Sequence, residues 1–218
     1  MKKIIIFLIL CVIFLLLCLH PEFFLRNKYS CSKFDIHYSN IQELQNFCDL
    51  IETVSENYSR FYSNKNYDIY ITSSVFSYKL FSFFSNNLFN INPIGGYAVI
   101  SPFDMKGMFL SGDVNFKENI NEMILRLLLV NKFEKLEYLS FDEWKIKGYS
   151  KYISGEIQEY IPSDICNPVN SKKYNDFENM VVVKYLIENK NYNPLNFFAD
   201  NISYDVYLKE TKSIICRN

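Results

Sequence analysis

The chain has 218 residues, of which 49% are hydrophobic and 22% are charged, and its formal net charge at pH 7 is -1. Because no block of lysines or arginines alternates with aromatic residues, the sequence gives no indication of a nucleic-acid partner.

An apolar run from Ile4 to Leu19 follows Lys2 and Lys3 near the start of the chain. As a helix this run would reach about 24 Å, a little less than the ~30 Å hydrocarbon layer, which suits a signal-peptide core or a short anchor. No small-x-small cleavage site follows, so we predict a retained transmembrane anchor within residues 1–25. A lipid-modified Cys18 is a less favoured alternative.

The two N-terminal lysines favour the cytoplasmic side of a membrane. The sequence therefore predicts a single-pass membrane protein whose N-terminus is cytoplasmic and whose domain is extracytoplasmic, either periplasmic or extracellular. Residues 4–19 would then contact the membrane. The remaining residues, 26–218, are enough for one domain with a sizeable core, and no Gly/Ser-rich or Pro-rich stretch divides them.

Periodicity predicts alternating helices and strands in the first half of this domain. Apolar residues recur at helical spacing over residues 41–58, and alternate with polar ones from residue 67 to 72. A second helix is expected over residues 75–89. Glycine and proline bound two short predicted strands, residues 97–101 and 108–111.

The second half is predicted to be mainly helical. A strongly apolar helix is expected over residues 119–139, and Ser140 with Glu143 forms a capping-box signature for another helix over residues 142–154. A closing helix is expected over residues 177–187.

Four cysteines lie beyond the apolar run: Cys31, Cys48, Cys166 and Cys216. In an oxidising compartment they could form up to two disulfides, and three pairings are possible. We favour Cys31 with Cys48, which closes the shortest loop. This pattern disfavours a four-cysteine zinc site, because the cysteines are not grouped in CxxC pairs.

The stretches NEMILRLLLVNKF and WKIKGYSKYISGE resemble the core of gluzincin-type zinc metallopeptidases, whose HExxH helix precedes a helix carrying W-x-x-E-G-Y-x-x-Y. The matching positions are Glu122, Trp144, Gly148, Tyr149 and Tyr152. This resemblance implies an α+β, zincin-like fold with a small β-sheet and a mainly helical C-terminal half. It also implies a cleft in which a protein or peptide could bind.

The family's zinc ligands are absent from the matching positions. In the family, two histidines one turn apart and a glutamate on the next helix hold the metal, and the glutamate after the first histidine is the general base. Here Asn121 and Leu125 stand at the histidine positions and Lys147 at the third ligand position, so that only the base, Glu122, remains. We therefore expect no metal, no cofactor and no peptidase activity.

Three functions stay open on the sequence. The first is a catalytically inactive peptidase relative that serves as a binding or structural module. The second is a hydrolase that uses Glu122 with unconventional ligands. The third is a membrane-anchored structural protein without a functional cleft, in which the matching residues are ordinary core residues. A cysteine nucleophile assisted by His37 is a weaker alternative.

A surviving carboxylate in a cleft without its metal needs a partner. The resemblance would direct Lys147 toward the position of the lost zinc, where its ammonium could pair with Glu122. Solvent exposure of Lys147 at the rim of the cleft is an equally favoured alternative.

Overall fold

The computed structural model describes residues 6, 9, 12, 16, 20–39, 44–82, 85, 87–101, 114–155 and 159–217. The strand predicted over residues 108–111 lies outside the described residues, as does most of the apolar run.

The predicted transmembrane helix is wrong. Across the part of the chain that the structure describes, every helix is too short or too polar to cross a membrane. The apolar run of residues 4–19 would span only about 24 Å of a layer ~30 Å thick. The predictions that depended on it fall too, namely the signal anchor, the membrane as partner, and the single-pass topology with a cytoplasmic N-terminus from which the extracytoplasmic domain was inferred.

The architecture is α+β. The strands form one five-stranded sheet and are β1 (Asn27–Cys31), β2 (Phe34–Tyr38), β3 (Tyr67–Ile71), β4 (Phe89–Asn92) and β5 (Tyr97–Ile100). The α-helices are α1 (Leu44–Glu56), α2 (Val75–Phe81), α3 (Val114–Lys132), α4 (Lys135–Leu139), α5 (Glu143–Ser154), α6 (Lys172–Lys184), α7 (Pro194–Ala199) and α8 (Tyr204–Ile215). A π-helical segment, Tyr185–Asn189, continues α6.

The chain divides into two compact units, residues 1–135 and 136–218. The sheet belongs to the first unit, and its strand order is β1-β2-β3-β5-β4. The central pairs β2–β3 and β3–β5 are parallel, whereas the outer pairs β1–β2 and β4–β5 are antiparallel. The sheet is therefore mixed.

The two faces of this sheet differ because side chains alternate along each strand. One face is apolar and fully buried at Ile36, Ile69 and Ala98. The helices α1 and α3 contact the strands and each other, and a disulfide between Cys31 and Cys48 joins β1 to α1. The opposite face is apolar near β5, where α2 packs, and polar over β1, β2 and β3.

The helix α3 is the central core element of the first unit. Its inward residues, from Ile120 to Val130, are almost completely buried. Near its end, Asn131 donates from Nδ2 to the carbonyl oxygen of Gly96 at 2.7 Å. Gly96 has a φ of +71°, in the left-handed region that favours glycine, so this bond holds the β4–β5 turn against the helix.

The second unit consists of helices. The helices α5 and α6 pack closely at Gly148, where a Cβ atom would lie 2.7 Å from the carbonyl oxygen of Asn179. A second disulfide joins Cys166, at the end of a 3-10 turn, to Cys216 at the end of α8. Each disulfide therefore joins two cysteines of the same unit, one disulfide in each unit.

Several predicted elements have different bounds. The helix predicted over residues 75–89 ends at Phe81, and β4 occupies residues 89–92. The long helix predicted over residues 119–139 begins earlier and breaks into α3 and α4. The predicted capping box is wrong, because Asp142 is the N-cap of α5 and the Ser140 hydroxyl donates instead to the Glu137 carbonyl oxygen.

Candidate functional site

Two of the three positions that the resemblance aligns with zinc ligands are core positions of α3. Leu125 is fully buried, and Asn121 is only 2% exposed. The Asn121 amide donates to the Lys117 carbonyl oxygen at 3.1 Å, and its Oδ1 lies 3.5 Å from the hydroxyl of Tyr58. Both side chains are therefore committed to packing and to internal hydrogen bonding.

The carboxylate at the general-base position has a partner in its own helix. Glu122 Oε1 accepts from Arg126 Nε at 2.8 Å and from Nη2 at 2.7 Å. Since these residues are four apart, the pair lies along one face of α3. Pairing of Glu122 with Lys147 was one of two equally favoured expectations, and the partner that the structure describes for Glu122 is Arg126.

The motif residues on α5 belong to the core of the second unit. The Trp144 ring lies 5.7 Å from that of Phe197 and 5.1 Å from that of Tyr204, measured between centroids. Tyr149 is buried against Phe197 and Phe198, and its ring centroid is 6.0 Å from that of Tyr152. Each of these residues has a packing role that requires no bound ligand.

The buried cation of α5 is Lys145. Its side chain is 3% exposed, whereas Lys147 on the same helix is only half-buried. The Lys145 ammonium donates to the carbonyl oxygen of Asp200 at 2.7 Å, next to the end of α7. Burial lowers the pKa of this ammonium below its usual range, although the nearby Asp142 carboxylate opposes that shift. Lys145 therefore ties α5 to α7.

A polar cluster on the sheet was not predicted from the sequence. His37 on β2 bonds through Nε2 to Oδ1 of Asp68 on β3 at 2.8 Å, and its ring stacks on Tyr70 at 4.5 Å. The Tyr70 hydroxyl donates to Glu22 at 3.3 Å. Because an ionised carboxylate can only accept, His37 donates to Asp68 through Nε2. The signal that could have revealed this cluster is the alternation of polar residues in FDIHY and YDIY.

Neither metal binding nor thiol chemistry is indicated by the described residues. Within those ranges, no group of three or more histidine, cysteine, aspartate or glutamate side chains could hold a metal ion. All four cysteines between residues 20 and 217 are in disulfides, so that a cysteine nucleophile paired with His37 is not available there.

A second polar network lies beside this cluster and centres on the buried Asp35. Its carboxylate accepts from Lys28 at 2.9 Å, from Ser30 at 2.7 Å and from Asn66 at 3.2 Å. Burial alone would raise the pKa of this carboxyl, but the three donors outweigh burial and hold the pKa below its usual range.

This pKa shift predicts a pH dependence. Since the pKa is lower in the folded chain, ionised Asp35 stabilises the fold above about pH 4, and the stabilisation is lost as the pH falls through the folded-state pKa. We expect Asp35→Asn to lower the free energy of unfolding at pH 7 by about 1.5 to 3 kcal/mol and by clearly less at pH 3. Urea denaturation across that range measures the difference.

The matched control is Asp49→Asn, which makes the same change at an exposed aspartate of α1. A cost for Asp35→Asn that is equal at pH 7 and pH 3 would contradict a role for the ionised carboxylate.

The chain matches no protein-family model, no curated protein and no solved structure in comparisons with each.

Proposed function

We propose that this chain is a non-catalytic module with a metallopeptidase-like helix pair, and that it works by binding a protein or peptide or by a structural role. The observation that carries this proposal is the use of Asn121 and Leu125. A zinc site needs side chains with free lone pairs that converge on one point, but an aliphatic side chain in the core supplies none. The Asn121 amide is occupied by bonds inside the unit.

The state of Glu122 also supports the proposal. A general base must be free to accept a proton from water or substrate, and in zinc peptidases the metal lowers the pKa of the bound water to about 7. Here both guanidinium bonds from Arg126 go to one oxygen of Glu122. A carboxylate held in this way, without the metal, is a poor candidate for activating water.

The zinc content of the protein tests this proposal. We expect the full chain, loaded with excess zinc and then dialysed, to retain no stoichiometric metal in elemental analysis. The same preparation should leave peptide substrates uncut. One zinc per chain that is lost in Glu122→Gln would overturn the proposal and support the alternative of a hydrolase with unconventional ligands.

Glu122→Gln has a second expected result. A partly exposed pair four residues apart on a helix contributes about 0.3 to 0.5 kcal/mol, so we expect a loss of free energy of unfolding of that size. Glu134→Gln, at an exposed position just before α4, is the control and should have no measurable effect. A loss of several kcal/mol would show that Glu122 holds together more than its own helix.

A further inference from the structure

Two Asn-x-Ser sequences lie on the surface of the chain, one where a turn leads into a 3-10 helix and one in a loop. Asn57-Tyr58-Ser59 follows α1, and Asn201-Ile202-Ser203 precedes α8. In both, the middle residue points inward, with Tyr58 completely buried and Ile202 5% exposed. The flanking asparagine and serine are exposed in each case. The backbone thus turns the acceptor amide and the serine to the outside at both sites.

The acceptor amides are also free of internal bonds. Across the described residues, the side chains of Asn57 and Asn201 make no hydrogen bond. Many other asparagines use their side-chain amides to donate inside the fold, and these are Asn27, Asn66, Asn90, Asn92, Asn121 and Asn131. The two asparagines within Asn-x-Ser sequences are therefore not engaged in this way.

The serine hydroxyls follow the same pattern. Ser74 and Ser171 stand at helix N-caps, and their hydroxyls accept from backbone N–H groups at 3.1 Å. Ser203 occupies the equivalent position before α8, yet its side chain makes no capping bond. A free hydroxyl two residues after the asparagine is what an N-glycosylation acceptor requires.

We propose that Asn57 and Asn201 are acceptors for N-linked glycans. The donor is an oligosaccharide linked through pyrophosphate to a polyprenyl lipid. The Asn Nδ2 forms a bond to C1 of the first sugar, the bond from C1 to the phosphate oxygen breaks, and the lipid pyrophosphate leaves with the electron pair. One amide proton passes to a base, and no oxidant is needed. Two disulfides make the fold compatible with the oxidising conditions under which such glycans are added.

The test is to express the full chain in a eukaryotic secretory host and to treat it with peptide:N-glycosidase F. We expect two steps of increased mobility on a gel, with conversion of both asparagines to aspartate in peptide mass spectra. Ser59→Ala and Ser203→Ala should each remove one step while leaving the asparagine in place. Ser59→Thr and Ser203→Thr should keep both steps.

Asn64→Gln is the control, because Asn64 is exposed but is not followed by serine or threonine at the required position. It should leave both steps unchanged. The threonine variants separate a lost acceptor from a folding failure, since they change the same residue and retain the hydroxyl. Unmodified peptides at Asn57 and Asn201 in the disulfide-bonded chain would overturn the proposal, and one unmodified site would overturn it for that site.

Discussion

Gly148→Ala is expected to lower the free energy of unfolding by about 3 kcal/mol, because the added methyl group has no space. The new Cβ would lie 2.7 Å from both the Asn179 carbonyl oxygen and Val183 Cγ2. A backbone carbonyl cannot rotate away, so α5 and α6 would have to move apart along their whole contact. Chemical denaturation followed by circular dichroism measures the loss.

The double variant Gly148→Ala with Val183→Ala locates the source of this cost. Val183 can be shortened, but the Asn179 carbonyl remains, so we expect no rescue by the second substitution. Gly155→Ala is the control, with a φ of +66° and open space around its Cβ. It should cost about 1 kcal/mol, from the backbone conformation alone. Equal losses at Gly148 and Gly155 would contradict the close contact of the two helices.

Removal of the Cys166–Cys216 disulfide should be the most damaging change in the second unit. The bond closes a loop of 50 residues, and the chain-entropy model assigns it about 4 kcal/mol. We therefore expect the double variant Cys166→Ser with Cys216→Ser to unfold at a markedly lower urea concentration than the unaltered chain.

The double variant Cys31→Ser with Cys48→Ser is the comparison. Its loop has a sequence separation of 17, for which the same model gives about 3 kcal/mol. The order of the two losses tests the entropic account, because that account depends on loop length. A larger loss for the shorter loop would show that packing around Cys31, which is almost fully buried on the sheet, determines the cost instead.

The elements that the sequence revealed have strong periodicity. The predicted strand is confirmed as Tyr67–Ile71. It was predictable because Tyr67, Ile69 and Ile71 alternate with Asp68 and Tyr70. The helix expected over residues 41–58 is present as Leu44–Glu56. The helix has one buried side and one exposed side, which is the arrangement that helical periodicity reports, whereas the strand alternates in polarity although Tyr70 on its second side is also buried.

Other elements were missed for identifiable reasons. The strands β1 and β2 are five residues long and carry lysine, aspartate and histidine on one face, so that their apolar pattern is brief. The polar residues lie on a sheet surface where they bond to one another across strands. Such pairs join residues distant in sequence, and His37 with Asp68 is an example. Local patterns cannot reveal them.

The candidate site also contains contacts that local sequence patterns do not reveal. The resemblance directed attention to Asn121, Leu125 and Lys147, but the sequence could not identify the partner of Glu122. The resemblance directed attention to a lysine on another helix, whereas Arg126 is one turn away in α3. The burial of Lys145 depends on its contact with the Asp200 carbonyl oxygen just after α7. The sequence around residue 145 gives no indication of that contact.

The separation of the two disulfides between the units has a consequence for the order of folding. A ribosome synthesises the chain from its N-terminus, so that Cys31 and Cys48 are both available while Cys166 and Cys216 are still to be made. If the first pair closes at that stage, neither Cys31 nor Cys48 remains free to compete for the later two cysteines. The wrong pairings then require the first bond to reopen by thiol–disulfide exchange. Vectorial synthesis alone thus favours the native connectivity.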